Sequence, residues 1–133
     1  TVYGQTDAET ETEIDRWLSF VGLESMAESN AGELSTGQQK LLNIAATLVR
    51  DPDVLLLDEP TAGVNPGLVD DIADLLVELN DQGRTFFVIE HDMDFVRNIS
   101  DYIYVLADGT NLVEGPPGDA LNDPRVLESY FGR

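Results

Sequence analysis

The sequence predicts an α/β fold with a mostly parallel sheet and flanking helices. Three observations carry that expectation. Residues 54–58 and 85–89 are short, nearly continuous apolar runs, the pattern of strands buried on both faces. The segment between them repeats its apolar residues at helical spacing. A further helix and strand follow, so the order reads strand, helix, strand, helix, strand.

Each element has its own local warrant. Residues 1–6 read as a loop or a cut end. Residues 12–21 carry Ile14, Trp17, Leu18 and Val21 at helical spacing, and Gly22 supplies a stop. Residues 26–33 form a connector of small residues. A second helix is expected over 36–50, with Leu41, Ile44, Ala45, Leu48 and Val49 on one face, ended by Asp51-Pro52. Asn65-Pro66 reads as N-cap and first helical residue of a third helix that ends near Gly83. His91 and Asp92 open a fourth. Asp108-Gly109 between two apolar stretches signals a hairpin over 102–113. Two short helices are expected around 118–121 and 126–130.

Composition narrows the function classes. The 133 residues fit about one domain, and 42% hydrophobic content is enough for a packed core. The 26 acidic and 7 basic residues leave a net charge of −19. That balance argues against a nucleic-acid or anionic-membrane face, which needs concentrated positive charge. The acids run the whole length of the chain, which reads either as an ordinary solvated surface or, more sharply, as adaptation to high salt, where screening relieves self-repulsion. With no cysteine there is no disulfide framework and no thiolate metal site. No apolar run is long enough to span a bilayer, and no signal peptide is visible, so a soluble intracellular protein is expected, free to dock on a membrane protein.

In an open α/β sheet, ligands collect at the carboxyl ends of the strands. Asp58, Glu59, Glu90 and His91 fall there. Asp58 and Glu59 are adjacent, and neighbouring side chains at a strand end point to different sides. One can hold Mg²⁺ through its water shell, while the other deprotonates a water for attack on a phosphoryl group. In isolation, a loop start with two solvated acids is an equal reading. Ser35 and Gln38 have capping-box spacing, and Gly37 lets a ligand approach the backbone of the helix start, so 35–38 could hold a γ-phosphate as well as simply cap a helix. His91 is the single histidine. Beside carboxylates it could contact a γ-phosphate or an attacking water.

Taken together, LSTGQ opening a helix, then LLLDEPTAGVNP, then a strand ending in EHD resemble the ATP-binding-cassette (ABC) ATPases, from about Thr12 onward. LSTGQ resembles the signature LSGGQ, with Thr36 in place of a glycine. LLLDEP resembles the Walker B strand with its catalytic glutamate. Residues 62–65 stand at the D-loop, with Asn65 where many members have aspartate, and His91 stands at the switch histidine. A narrower resemblance, through AGELS, AGVNP, IEHDM, ISDYIYV and the ending YFG, is to the ATP-binding subunits of branched-chain amino-acid importers. Relatives of that subgroup serve urea uptake and lipopolysaccharide export.

The resemblance implies a P-loop NTPase-like partial domain, the C-terminal half of a nucleotide-binding domain. Residues of about 7–50 would form its helical and signature region, and 51–133 its Walker B, D-loop, switch-histidine and C-terminal region. The cofactors implied are ATP and Mg²⁺. Two cassettes would stack head to tail, each ATP lying between the P-loop of one copy and the signature of the other. Ser35, Thr36, Gly37 and Gln38 would complete the partner's ATP site, and Asn65 would sit in the loop coupling the two sites. Asp58 would hold Mg²⁺, Glu59 would be the general base, and His91 would sense the γ-phosphate. Transmembrane permease subunits would be driven from the cytoplasmic face of the membrane, where the protein would be peripheral.

The phosphate-gripping pattern G-x-x-x-x-G-K-[ST] is absent, and the single lysine, Lys40, lies one turn into the signature helix. The chain is therefore expected to be part of a longer cassette and inactive alone, with apolar strand faces left without neighbours. Two other readings stay open: a soluble cassette ATPase outside transport, and a non-catalytic, regulatory half-cassette.

Overall fold

The structure is a computed structural model that describes residues 8–131; the expectations for 1–6 and for Gly132 lie outside the described residues. Six helices and four strands alternate along the described chain: α1 (Ala8–Phe20), α2 (Thr36–Leu48), β1 (Val54–Asp58), α3 (Pro66–Asp81), β2 (Thr85–Ile89), α4 (Met93–Ile99), β3 (Ile103–Ala107), β4 (Thr110–Gly115), α5 (Pro117–Ala120) and α6 (Pro124–Phe131). Two short 3₁₀ turns, Glu24–Met26 and Ala31–Glu33, fill the expected connector. The chain divides into two compact units, one ending at Ile89 and the other starting at Glu90.

In the first unit, α1 starts earlier than its apolar spacing predicts, because an acidic first turn with Glu9 and Glu11 favours a helix N-terminus. It ends as expected at Gly22, whose φ of 72° lies in the left-handed region that favours glycine. The Gly22 amide reaches the Ser19 carbonyl and the Leu23 amide the Leu18 carbonyl, a Schellman closure. Helix α1 packs on α2, and both feed a core of Trp17, Leu41, Ile44 and Leu48. Arg84, leading into β2, lies over the Trp17 ring at 5.1 Å and pairs with Asp51 at 2.8 Å. That stacking ties α1 to the start of β2.

Strand β1 pairs with β2 in parallel, Val54 opposite Thr85 through Asp58 opposite Ile89, with α3 as the crossover. Helix α3 packs against β2 and buries Ile72, Leu75, Leu76 and Leu79. One face of this pair carries buried Leu55 and half-buried Leu57, Phe86 and Val88. The other carries Val54, Leu56, Phe87 and Ile89, exposed by 54, 77, 56 and 56%. The expectation of strands buried on both faces is thus corrected: an apolar run records that cover is wanted, and the described elements cover one face.

In the second unit, β3 and β4 pair antiparallel around Asp108-Gly109, both with positive φ (49° and 74°), as a two-residue hairpin of primed type requires. The third strand thus joins its own antiparallel hairpin in a second two-stranded sheet. The register slips between Val105 and Leu106, a bulge the sequence did not announce. Ile103 and Val105 join Ala120, Leu121 and Val126 in a small core. Asp123 caps α6: its carboxylate accepts from the Arg125 amide at 2.9 Å and pairs with that guanidinium at 3.0 Å. The side-chain hydrogen bond from Arg125 holds the Asp123 carboxyl below its ordinary range.

Candidate functional site

Asp58 is the last residue of β1, opposite Ile89 at the end of β2. Glu59 then leaves the sheet with φ of 45°, a left-handed conformation unusual for a residue with Cβ. Three hydrogen bonds hold its backbone. The Glu59 amide donates to the Ile89 carbonyl at 2.8 Å, and its carbonyl accepts from the Ala62 amide at 3.2 Å and from Lys40 Nζ at 2.9 Å. The turn sends the chain over buried Pro60 and Thr61, then through Gly63 at φ 73°. Both Asp58 and Glu59 remain exposed, as acids at the carboxyl end of a strand must be to meet a ligand.

The start of α2 is built as the sequence predicts. Ser35 Oγ accepts from the Gln38 amide at 3.3 Å, and Gln38 Oε1 accepts from the Ser35 amide at 2.9 Å, closing the capping box. Gln39 secures the approach to it, its Nε2 donating to the Ala31 and Leu34 carbonyls at 3.2 and 3.1 Å. Gly37 is buried, and its missing side chain has a packing role within the chain. A Cβ there would overlap Leu68 Cδ2 and sit 3.4 Å from Val64 Cγ1. The missing side chain lets α2 meet the 62–65 loop and the start of α3. Gly63 adjoins the same helix start: a Cβ on it would lie 3.5 Å from the Thr36 methyl.

Asn65 caps α3, its Oδ1 accepting from the Leu68 amide at 3.0 Å. Its side chain is therefore engaged within its own chain. The first unit thus brings the 35–38 helix start, Lys40, the Asp58-Glu59 turn and the 62–65 loop into one packed group. His91 belongs to the second unit. It is largely exposed, its amide donates to Glu90 Oε2 at 3.1 Å, and its Nδ1 lies 3.9 Å from the same oxygen of a fully buried Glu90 side chain. Asp92 caps α4 through the Asp94 and Phe95 amides at 3.1 and 3.0 Å.

Among the described residues no group of three or more His, Cys, Asp or Glu could hold a metal ion. The exposed strand-end carboxylate of Asp58 could nonetheless hold Mg²⁺, because that ion keeps several waters and takes one or two carboxylates plus substrate phosphates. Sequence reasoning left Lys40 and Gln39 without a role and missed the contact of Gly37 with Leu68. The single lysine was visible, but the carbonyl it reaches lies 19 residues away.

Comparison with known proteins adds to this geometry. The family described as ABC transporter matches residues 1–62. The high-affinity branched-chain amino acid transport ATP-binding proteins of Salmonella typhimurium and Escherichia coli K12 are each 43% identical over 117 residues, covering 87% of this chain and 46% of theirs. That of Pseudomonas aeruginosa is 41% identical over 117 residues, again covering 87% of this chain and 46% of its own. A crystal structure of the ADP conformation of an ATP-binding cassette of an ABC transporter superposes with TM-score 0.89 at 37% identity, covering 100% of this chain and 54% of that one. A nucleotide-free cassette from an ABC transporter gives TM-score 0.86 at 38% identity, covering 96% and 52%. The chain spans about half the length of the curated relatives it matches. By sequence and by fold the chain is similar to part of the ATP-binding cassette of ABC transporters.

Proposed function

We propose that this chain is the signature-bearing and catalytic half of an ATP-hydrolysing cassette that drives a transporter, with branched-chain amino acids as the imported class. The observation that carries the reading is the Asp58-Glu59 turn: two exposed carboxylates at the carboxyl end of a parallel strand, the second held in a left-handed backbone by three hydrogen bonds. The relatives named for branched-chain amino acid transport support the substrate class.

Asp58 would hold Mg²⁺, which would supply charge neutralisation on the phosphates. Glu59 accepts a proton from the attacking water as it approaches the γ-phosphorus. Ser35, Thr36, Gly37 and Gln38 face the ATP of a second cassette stacked head to tail. The Thr36 and Gly37 amides at the start of α2 serve there as anion donors. Asn65 keeps the 62–65 loop in shape at that interface by capping α3, and His91 senses the γ-phosphate. The P-loop comes from the other half of the cassette. Closure and reopening drive permease subunits, on which the assembly sits peripherally at the cytoplasmic face. Among the described residues no helix is long and apolar enough to cross a membrane.

The test joins this chain behind the half of the E. coli relative that it does not match. The hybrid turns over ATP on this reading. Ser35→Arg then abolishes turnover by blocking closure while ATP affinity per copy stays within about twofold, since that site is the copy's own. Full turnover by Ser35→Arg removes the signature from the partner's site.

A further inference from the structure

We propose that Lys40 is a positioning residue that ties the signature helix to the backbone of the catalytic glutamate, and so links the two nucleotide sites through one chain. The proposal rests on the reading of Glu59 and the 35–38 helix start given above. Lys40 is half-buried one turn into α2, and its Nζ donates to the Glu59 carbonyl at 2.9 Å. It is the single lysine of a chain with 26 acidic residues, yet this cation is directed at a main-chain carbonyl.

That carbonyl already accepts the Ala62 amide, so the ammonium reinforces the 59–62 turn. The reinforcement falls where it matters, because a left-handed residue with Cβ costs roughly 1–2 kcal/mol and persists only when its surroundings hold it. Gly37 against Leu68 and Val64 makes a second attachment between the same two segments. Helix α2 and the 59–65 loop therefore move together. In a head-to-tail dimer the start of α2 belongs to the partner's ATP and Glu59 to its own. Lys40 is then the polar strut by which engagement of one site sets the carboxylate of the other.

A charged donor of sufficient reach is what the strut needs. Lys40→Arg preserves it, and Lys40→Met keeps the apolar stem without the donor. In the hybrid cassette, Lys40→Met is expected to lower kcat about ten- to hundredfold, the range of a small misplacement of a catalytic group, with KM for ATP within about twofold. Lys40→Arg recovers most of the loss. Amide exchange at Ala62, followed in the 133-residue chain, should rise in Lys40→Met and return in Lys40→Arg, while amides of the Leu48 core stay protected. An unchanged Ala62 exchange rate in Lys40→Met overturns the proposal, whatever the hybrid does. So does unchanged kcat in Lys40→Met when Glu59→Gln abolishes turnover, or a Lys40→Arg as impaired as Lys40→Met. Turnover unchanged by Glu59→Gln instead sinks the reading of Glu59, and the exchange data then decide the strut alone.

Discussion

Replacing Gly37 with alanine sets two effects of opposite sign against each other. Alanine favours a helix over glycine by about 0.5–1 kcal/mol, so on propensity alone the variant is stabilised. The added Cβ, however, would overlap Leu68 Cδ2, with Leu68 Cγ and Val64 Cγ1 each 3.4 Å away. Forcing a methyl into a packed contact costs about 1–3 kcal/mol. Leu68 is half-buried and can turn aside, but Val64 closes the second direction, so the middle of that range applies. The net expectation is a loss of about 1 kcal/mol, or roughly 4 °C in Tm for a domain of this size. Urea unfolding at constant m-value measures it. Adding Leu68→Ala should make room for the new methyl, so the double mutant should be more stable than the two separate losses add up to, by about 1 kcal/mol. A Gly37→Ala variant more stable than the parent would refute the packing argument.

Neighbouring leucines of β1 should behave oppositely. Leu55→Ala, at 1% exposure, should cost about 2–5 kcal/mol, whereas Leu56→Ala, at 77%, should change stability by about 0.5 kcal/mol or less. Equal losses in urea melts would mean that the Leu56 face is covered in solution. The net charge of −19 should make folding salt-dependent, with the midpoint rising as KCl goes from about 0.1 to 1 M and the screening length falls from about 10 to 3 Å. A midpoint insensitive to KCl ends the high-salt reading.

Much of this was legible in the sequence for physical reasons that particular elements make plain. Strands β1 and β2 appear at the expected bounds because four or five apolar residues between polar stops admit little else. Asn65-Pro66, Ser35 with Gln38, and Gly22 each signal a helix end through their own backbone chemistry, and each does that job. The start of α1 was missed because Ala8 to Glu11 carries no apolar rhythm. Helix α2 stops at Leu48, short of the expected 50, where Asp51 turns left-handed at φ 48° ahead of Pro52.

What stayed hidden is what depends on distant partners. The bulge after Val105 is a property of a strand pair. The bare face of Leu56 and Phe87 depends on what else is present to cover it. At the site, residue types and order were readable, but contacts were not. Nothing local to Lys40 points to the Glu59 carbonyl, and nothing local to Gly37 points to Leu68. Those two long-range contacts turn three separate motifs into one packed group.

The central claim is that Glu59 is the base of an ATP-hydrolysing cassette. The most direct measurement compares ATP binding and steady-state hydrolysis for Glu59 and Glu59→Gln in the hybrid cassette, in the same preparation with Mg²⁺. The account predicts affinity unchanged within about twofold and hydrolysis lowered about 10²–10⁴-fold, the contribution of a general base. Hydrolysis that survives Glu59→Gln unchanged contradicts it.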